Sequence, residues 1–161
     1  MELSEIKRYV ERMKIQLLII IIGIIISSYV GTSTSIPILN SMGVAAGREA
    51  ITSATLSQSP ILIPLALIHY LAFIWIGWEG KTKHQYSLKQ NAIAGGLAGL
   101  IEGITGYAIS IFAFFLFADQ YIMNQYAMIV VIFGLWSVIS YTIGGAALCG
   151  ACYYIAKALK K

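Results

Sequence analysis

Glu102 and His69 are the side chains of this chain best suited to relay a proton or hold a cation. Each sits inside a long apolar run, and each changes protonation state in an accessible range. Glu102 lies near the middle of Asn91–Phe117 (NAIAGGLAGLIEGITGYAISIFAFFLF), and His69 lies in Ile61–Trp78. The basic stretch Glu79–Gln90 joins the two runs, so depth can be counted from it in both directions. His69 precedes Trp78 by nine residues and Glu102 follows Asn91 by eleven. At about 1.5 Å per residue, both then lie roughly 14–17 Å from the same boundary. A His69–Glu102 contact between adjacent antiparallel helices follows, and Tyr141, Thr142, Ser27 and Ser28 are expected to join the same polar layer. Such a pair relays protons or coordinates a cation; the plainer alternative is a hydrogen bond that fixes helix register.

The glycines around Glu102 say which way it points. Gly95, Gly99, Glu102 and Gly106 are spaced +4, +3 and +4, which places them on one helix face, and Gly99 and Gly103 extend a small-xxx-small pattern from Gly95. Gly144 and Gly145 form a second pair suited to close helix packing. Glu102 is therefore predicted to enter a helix–helix seam; facing lipid it would cost about 2.5–3.5 kcal/mol on insertion scales. One histidine inside the runs supplies too few ligands for a heme or di-metal site, so no metal and no cofactor are expected.

Cys149 and Cys152 form C-G-A-C near the Lys-rich end of the last apolar run. Four apolar helices with a C-x-x-C resemble the membrane thiol oxidoreductases of the bacterial disulfide-generating or vitamin K epoxide reductase type. Those use further cysteines on the outer side, and this chain has two in all. Apolar surroundings disfavour the thiolate, so the two thiols are read as small packing residues, with thiol redox chemistry as a third function. Length, glycine-rich helices and a mid-run Glu also resemble rotary-ATPase proteolipids. The extended 31–59 segment and the lack of a second matching glycine run depart from that pattern, and no residue is carried over.

The elements that must position these groups follow from hydropathy. Residues 1–14 read as an amphipathic interfacial helix, with Leu3, Ile6, Val10 and Met13 on one face and Ser4 as its cap. Four runs are long enough to span a bilayer: 15–36, 61–78, 91–117 and 127–156. Pro64 is placed in the first turn of the second run, where a missing N–H costs little. Residues 40–58 form a further helical segment beyond the first run, read as lying on the outer surface or dipping back as a lid. Ala118–Tyr126 reads as a polar loop. Trp75, Trp78, Tyr121, Tyr126, Tyr153 and Tyr154 flank the runs, as indoles and phenols do at a membrane boundary.

Composition agrees. Of 161 residues, 58% are hydrophobic and 11% charged, against about 25% charged in soluble domains, and mean hydropathy is +0.79. Ten of the eleven basic residues fall at the N-terminus, in the 81–89 hairpin and at the C-terminus, with Arg48 the exception. That is a positive-inside pattern and not a nucleic-acid patch. The expectation is an all-α integral membrane protein: a four-helix transmembrane bundle in the cell membrane, multi-pass, with both termini cytoplasmic. No nucleotide-binding or hydrolase signature occurs. The first reading of function is a non-enzymatic, structural or accessory membrane protein whose partners are the bilayer and a homo-oligomer or larger membrane complex. The second is a small transporter or channel-like protein centred on His69–Glu102.

Overall fold

The computed structural model describes residues 2–159, apart from the side chains of 44–48; Arg48, Lys160 and Lys161 of the charge pattern lie outside the described residues. The described chain is five α-helices without a strand: α1 (Leu3–Arg12), α2 (Lys14–Ser57), α3 (Ser59–Thr82), α4 (Leu88–Phe117) and α5 (Gln120–Leu159). Four stretches are long and apolar enough to cross a membrane: Lys14–Gly43, Ser59–Thr82, Leu88–Phe117 and Gln120–Leu159. Their outward faces are apolar as well: Ile22, Leu67, Phe112 and Ile143 are all about half exposed or more.

Several boundaries differ from those read off the sequence, each for a local reason. Ser4 does not cap α1. Glu2 does, its backbone N–H donating to Glu5 Oε2 at 3.4 Å, while Ser4 Oγ donates to Glu2 Oε2 within the first turn. Leu3 points away from the protein and Tyr9 replaces it on the packed face. The 31–43 stretch stays helical despite its Ser, Thr and Gly content. Ser33, Thr34 and Ser41 donate to carbonyls one turn back, so their hydroxyls feed the helix rather than compete with it. The break comes at Gly43, whose φ of 69° is a left-handed conformation that favours glycine.

After that kink the 44–58 segment does not lie flat across the bundle end. The Gln58 amide donates to the Thr34 hydroxyl, so the chain has returned to a level about 13 Å back from Gly43. Because α3 already begins at Ser59, Pro60 occupies its first turn and Pro64 lies inside the helix, where it cannot donate to the Pro60 carbonyl. The Ser87-x-x-Gln90 capping box starts α4 before Asn91: Gln90 N–H donates to Ser87 Oγ and Ser87 N–H to Gln90 Oε1. The polar stretch after α4 is mostly helix, since Asp119 Oδ1 accepts from Ile122 N–H at 2.8 Å and starts α5 there.

The four long helices run alternately up and down, in the spatial order α2, α3, α5, α4, with α3 and α4 meeting across the middle and α2 and α5 at far corners. Packing is uneven along the bundle axis. A core of Tyr9, Met13, Leu17, Ile20, Phe73, Ile76, Ala94, Ala98 and Cys149 fills the half nearest the basic hairpin. Towards the other end only Phe114, Ala118 and Ile122 form a second buried cluster, between α4 and α5. From Ser59 to Leu71, α3 has no buried residue.

Candidate functional site

The seam of α4 with α5 fixes the position of Glu102. Gly95, Gly99 and Gly103 line it so closely that a methyl group on any of them would strike α5 backbone: the Gly145 carbonyl, the Tyr141 carbonyl and Val138 Cα respectively. Such contact of small residues is what drives helix association where lipid removes the hydrophobic force. Gly106, expected on the same face, turns instead to α2, where an added methyl would lie 3.1 Å from Ile24 Cγ1. Gly145 fits against the Gly95 carbonyl and the Phe73 ring, but Gly144 does not pack at all, with no atom within 4 Å of where its Cβ would be. The predicted single face thus divides among three neighbours, with Glu102 on the side of α3.

There it meets His69: Nδ1 lies 3.4 Å from Glu102 Oε1, with the side chains 14% and 2% exposed. Gly23 makes room for the imidazole. A methyl group at that position would collide with Nε2, so the ring lies directly on the α2 backbone. Among the described residues, Glu102 Oε2 has no hydrogen-bond partner, although it is buried. An ionised carboxylate with an open oxygen in an apolar site is costly, and needs a proton or a cation to balance it.

The pair forms part of the floor of a cleft of about 570 Å³ between α3 and α5, whose walls include Tyr70, Phe73, Phe133, Trp136, Ser137, Ser140 and Tyr141. Gly144, predicted as packing, lines this cleft and widens it. Tyr141 lines the same cleft as the pair. Thr142 and Ser27 do not: their hydroxyls donate to Val138 and Ile24 carbonyls of their own helices. Ser28 faces a different, larger groove of about 1140 Å³ between α2 and α4, lined mainly by apolar residues.

Cys149 and Cys152 are buried, unbridged and packed over Gly77, and Cys149 Sγ donates to the Phe73 carbonyl at 3.2 Å. No three potential metal ligands converge among the described residues.

Three residues that shape the site went unnoticed in the sequence. Gly23 interrupts a run of isoleucines, and a lone glycine in such a run signals close approach. Trp136 sits mid-helix and 65% exposed, away from the boundary where indoles settle. Asn91 is wholly buried: its Nδ2 donates to the Gly77 carbonyl at 2.8 Å and the Cys149 carbonyl at 3.2 Å, binding α3, α4 and α5 together at the basic end, about three turns from Glu102.

A second polar cluster closes the basic end. Tyr9 and Tyr86 stack edge-on with centroids 5.3 Å apart, Arg12 donates to the Tyr86 hydroxyl, and Gln16 donates to Glu79 Oε2 at 2.9 Å. Residue Gln85, at φ 54°, shapes the hairpin that presents Tyr86. Burial pushes the Tyr9 phenol up, with Tyr86 adding to the effect. His84 is held below its ordinary value by burial first and by the Arg12 charge second. Compared with protein-family models, with curated proteins and with solved structures, the chain has no match.

Proposed function

We propose that this chain is a multi-pass protein of the cell membrane, its three basic clusters cytoplasmic, that acts as a small carrier with His69–Glu102 as its protonatable binding centre. The orientation rests on charge: among the described residues, the N-terminal basic residues, Lys81, Lys83, Lys89 and Lys157 lie at one end of the bundle, and positive residues favour the cytoplasmic side. The carrier reading rests on one observation, the unpartnered Oε2 of buried Glu102 beside a cleft that the residue helps to line. A pair serving only to fix helix register has no use for a free oxygen or for a void beside it, and leaving both costs stability.

The test is flux through purified full-length protein in proteoliposomes loaded with a pH-sensitive dye, with a potassium–valinomycin potential as the driving force. Protein-dependent proton entry that is lost in Glu102→Gln and reduced in His69→Ala is the expected result. Equal flux in parent and variants, or none in the parent, refutes the carrier reading.

A structural or accessory role in a larger assembly is the second reading. It is supported by the 59–71 stretch of α3, which buries no residue in this chain and leaves room for a neighbour. The mass of the detergent-solubilised particle tests it: a strictly monomeric particle without partners counts against assembly.

A further inference from the structure

The chemistry of the cleft selects a class of guest. Resting on the carrier reading above, we infer that the α3–α5 cleft binds a hydrophobic organic cation, an amine or onium group with an apolar body, with its charge at Glu102 and its body among the aromatic walls. The polar lining of the cleft is one carboxylate, one imidazole, two serine hydroxyls and the Tyr70 and Tyr141 phenols. Glu102 lines the cleft with one buried carboxylate oxygen left without a hydrogen-bond partner, while Ser137 and Ser140 have spent their protons on the Gly134 and Trp136 carbonyls and present lone pairs. No wall residue is Lys or Arg, so no permanent positive charge there favours an anion, and a charge on Glu102 is left to His69 or to the guest.

The remaining wall decides between a metal ion and an organic cation. A hard metal ion collects six or more oxygens. Here the acid is surrounded instead by Tyr70, Phe73, Phe133, Trp136 and Tyr141, whose ring faces attract cations. The cleft's volume of about 570 Å³ suits a drug-sized molecule. Gly144 and the outlying indole of Trp136 also gain a purpose, the one opening the wall and the other covering a guest.

Guest and proton compete for one acid. Around Glu102, α3 contributes His69 and Tyr70, α5 contributes Tyr141, and the Ile15–Ser28 stretch of α2 contains no titratable side chain. On α4 itself, Tyr107 is turned to Gly134 of α5. Binding a cation therefore displaces a proton from the His69–Glu102 pair.

Radiolabelled tetraphenylphosphonium is the probe, with neutral triphenylphosphine oxide as its uncharged counterpart. Both are measured on the purified full-length protein and on Glu102→Gln, Glu102→Asp and Trp136→Ala, each first shown to elute and melt as the parent does. Saturable tetraphenylphosphonium binding with proton release is expected. It weakens about 30-fold or more in Glu102→Gln and about 3- to 30-fold in Trp136→Ala, and Glu102→Asp recovers part of it. If the neutral oxide binds as well as the cation and ignores Glu102→Gln, the cation inference falls while a carrier of neutral solutes stands. If neither probe binds but proton flux still depends on Glu102, the guest class is wrong and the carrier reading survives. Absence of both binding and proton flux in the parent protein overturns the two together.

Discussion

Gly99→Ala and Gly144→Ala are the same chemical change on two helices, and they should have different consequences. At Gly99 the new methyl would strike the Tyr141 carbonyl, with the Tyr141 carbonyl carbon 2.7 Å away and Thr142 Cα 3.1 Å away. Carbon contacts settle at about 3.5–4.0 Å, so α4 and α5 must part by roughly 0.8–1 Å. A gap of that size forfeits about a quarter to a half of each contact's roughly 0.1–0.2 kcal/mol; over roughly 40 atom pairs in the seam this comes to about 1–4 kcal/mol. At Gly144 there is nothing within 4 Å to strike. Alanine's higher helix propensity, about 1 kcal/mol at most, favours both variants equally and cancels in the comparison. Reversible unfolding in mixed micelles by increasing dodecyl sulfate, followed by circular dichroism, should place Gly144→Ala at or above the parent and Gly99→Ala about 1–4 kcal/mol below Gly144→Ala. Equal stability of the two variants would refute the tight seam, and with it the argument that positions Glu102.

Asn91→Ala removes two interhelical hydrogen bonds, at about 0.6 kcal/mol each, and leaves a void. A loss of about 1–3 kcal/mol in the same assay is expected, together with faster alkylation of Cys149, now fully buried; a parent-like alkylation rate would show that Asn91 does not hold α5. His84 gives the docking of α1 a pH dependence. Its folded-state value lies below the ordinary 6.5, so folding favours the neutral ring. The stabilisation is complete above 6.5 and is lost as pH falls through the lowered folded-state value. Amide hydrogen exchange of α1, corrected for intrinsic pH dependence, should speed up between about pH 8 and about pH 5 in the parent but not in His84→Gln; identical behaviour in both would remove His84 from the mechanism.

The parts legible in the sequence were those with a strong period or a high energetic stake. Long apolar runs revealed the four candidate spans, because nothing else accommodates so many exposed isoleucines and leucines. Depth counting paired His69 with Glu102 because a helix advances by a fixed rise on both sides of a short hairpin. What escaped was decided by neighbours. Gly106 shares the spacing of Gly99 but turns to α2, since a helix with three partners has no single packed face. Thr142 and Ser27 have the right depth but satisfy themselves on their own carbonyls, an option that composition cannot exclude. The Ser87-x-x-Gln90 box was readable and would have started α4 earlier. Gly43 was harder to single out, because glycine also occurs at positions 23, 31 and 47 of the same region.

The uneven packing explains why the pair sits where it does. On the basic side of His69, Asn91 binds three helices, Gly77 lies against the two cysteines and Gly95 against Gly145. On the other side α3 has no fully buried residue from Ser59 to Ile68, contains Pro64 with its missing hydrogen bond, and is tied to α2 where Gln58 meets Thr34. Asn40 ties α2 in turn to the α4–α5 turn, accepting from Asp119 N–H and donating to the Phe117 carbonyl. The costly polar groups thus lie at the boundary between a clamped half, which can bear their desolvation, and a loosely packed half that opens into the cleft beside them. A buried acid placed deep in the clamped half would be stable only when neutral or paired, and one placed in the open half would lack the rigid walls that hold His69 over Gly23. The join between the two halves is the level at which this bundle keeps Glu102 buried and still in the lining of a cleft.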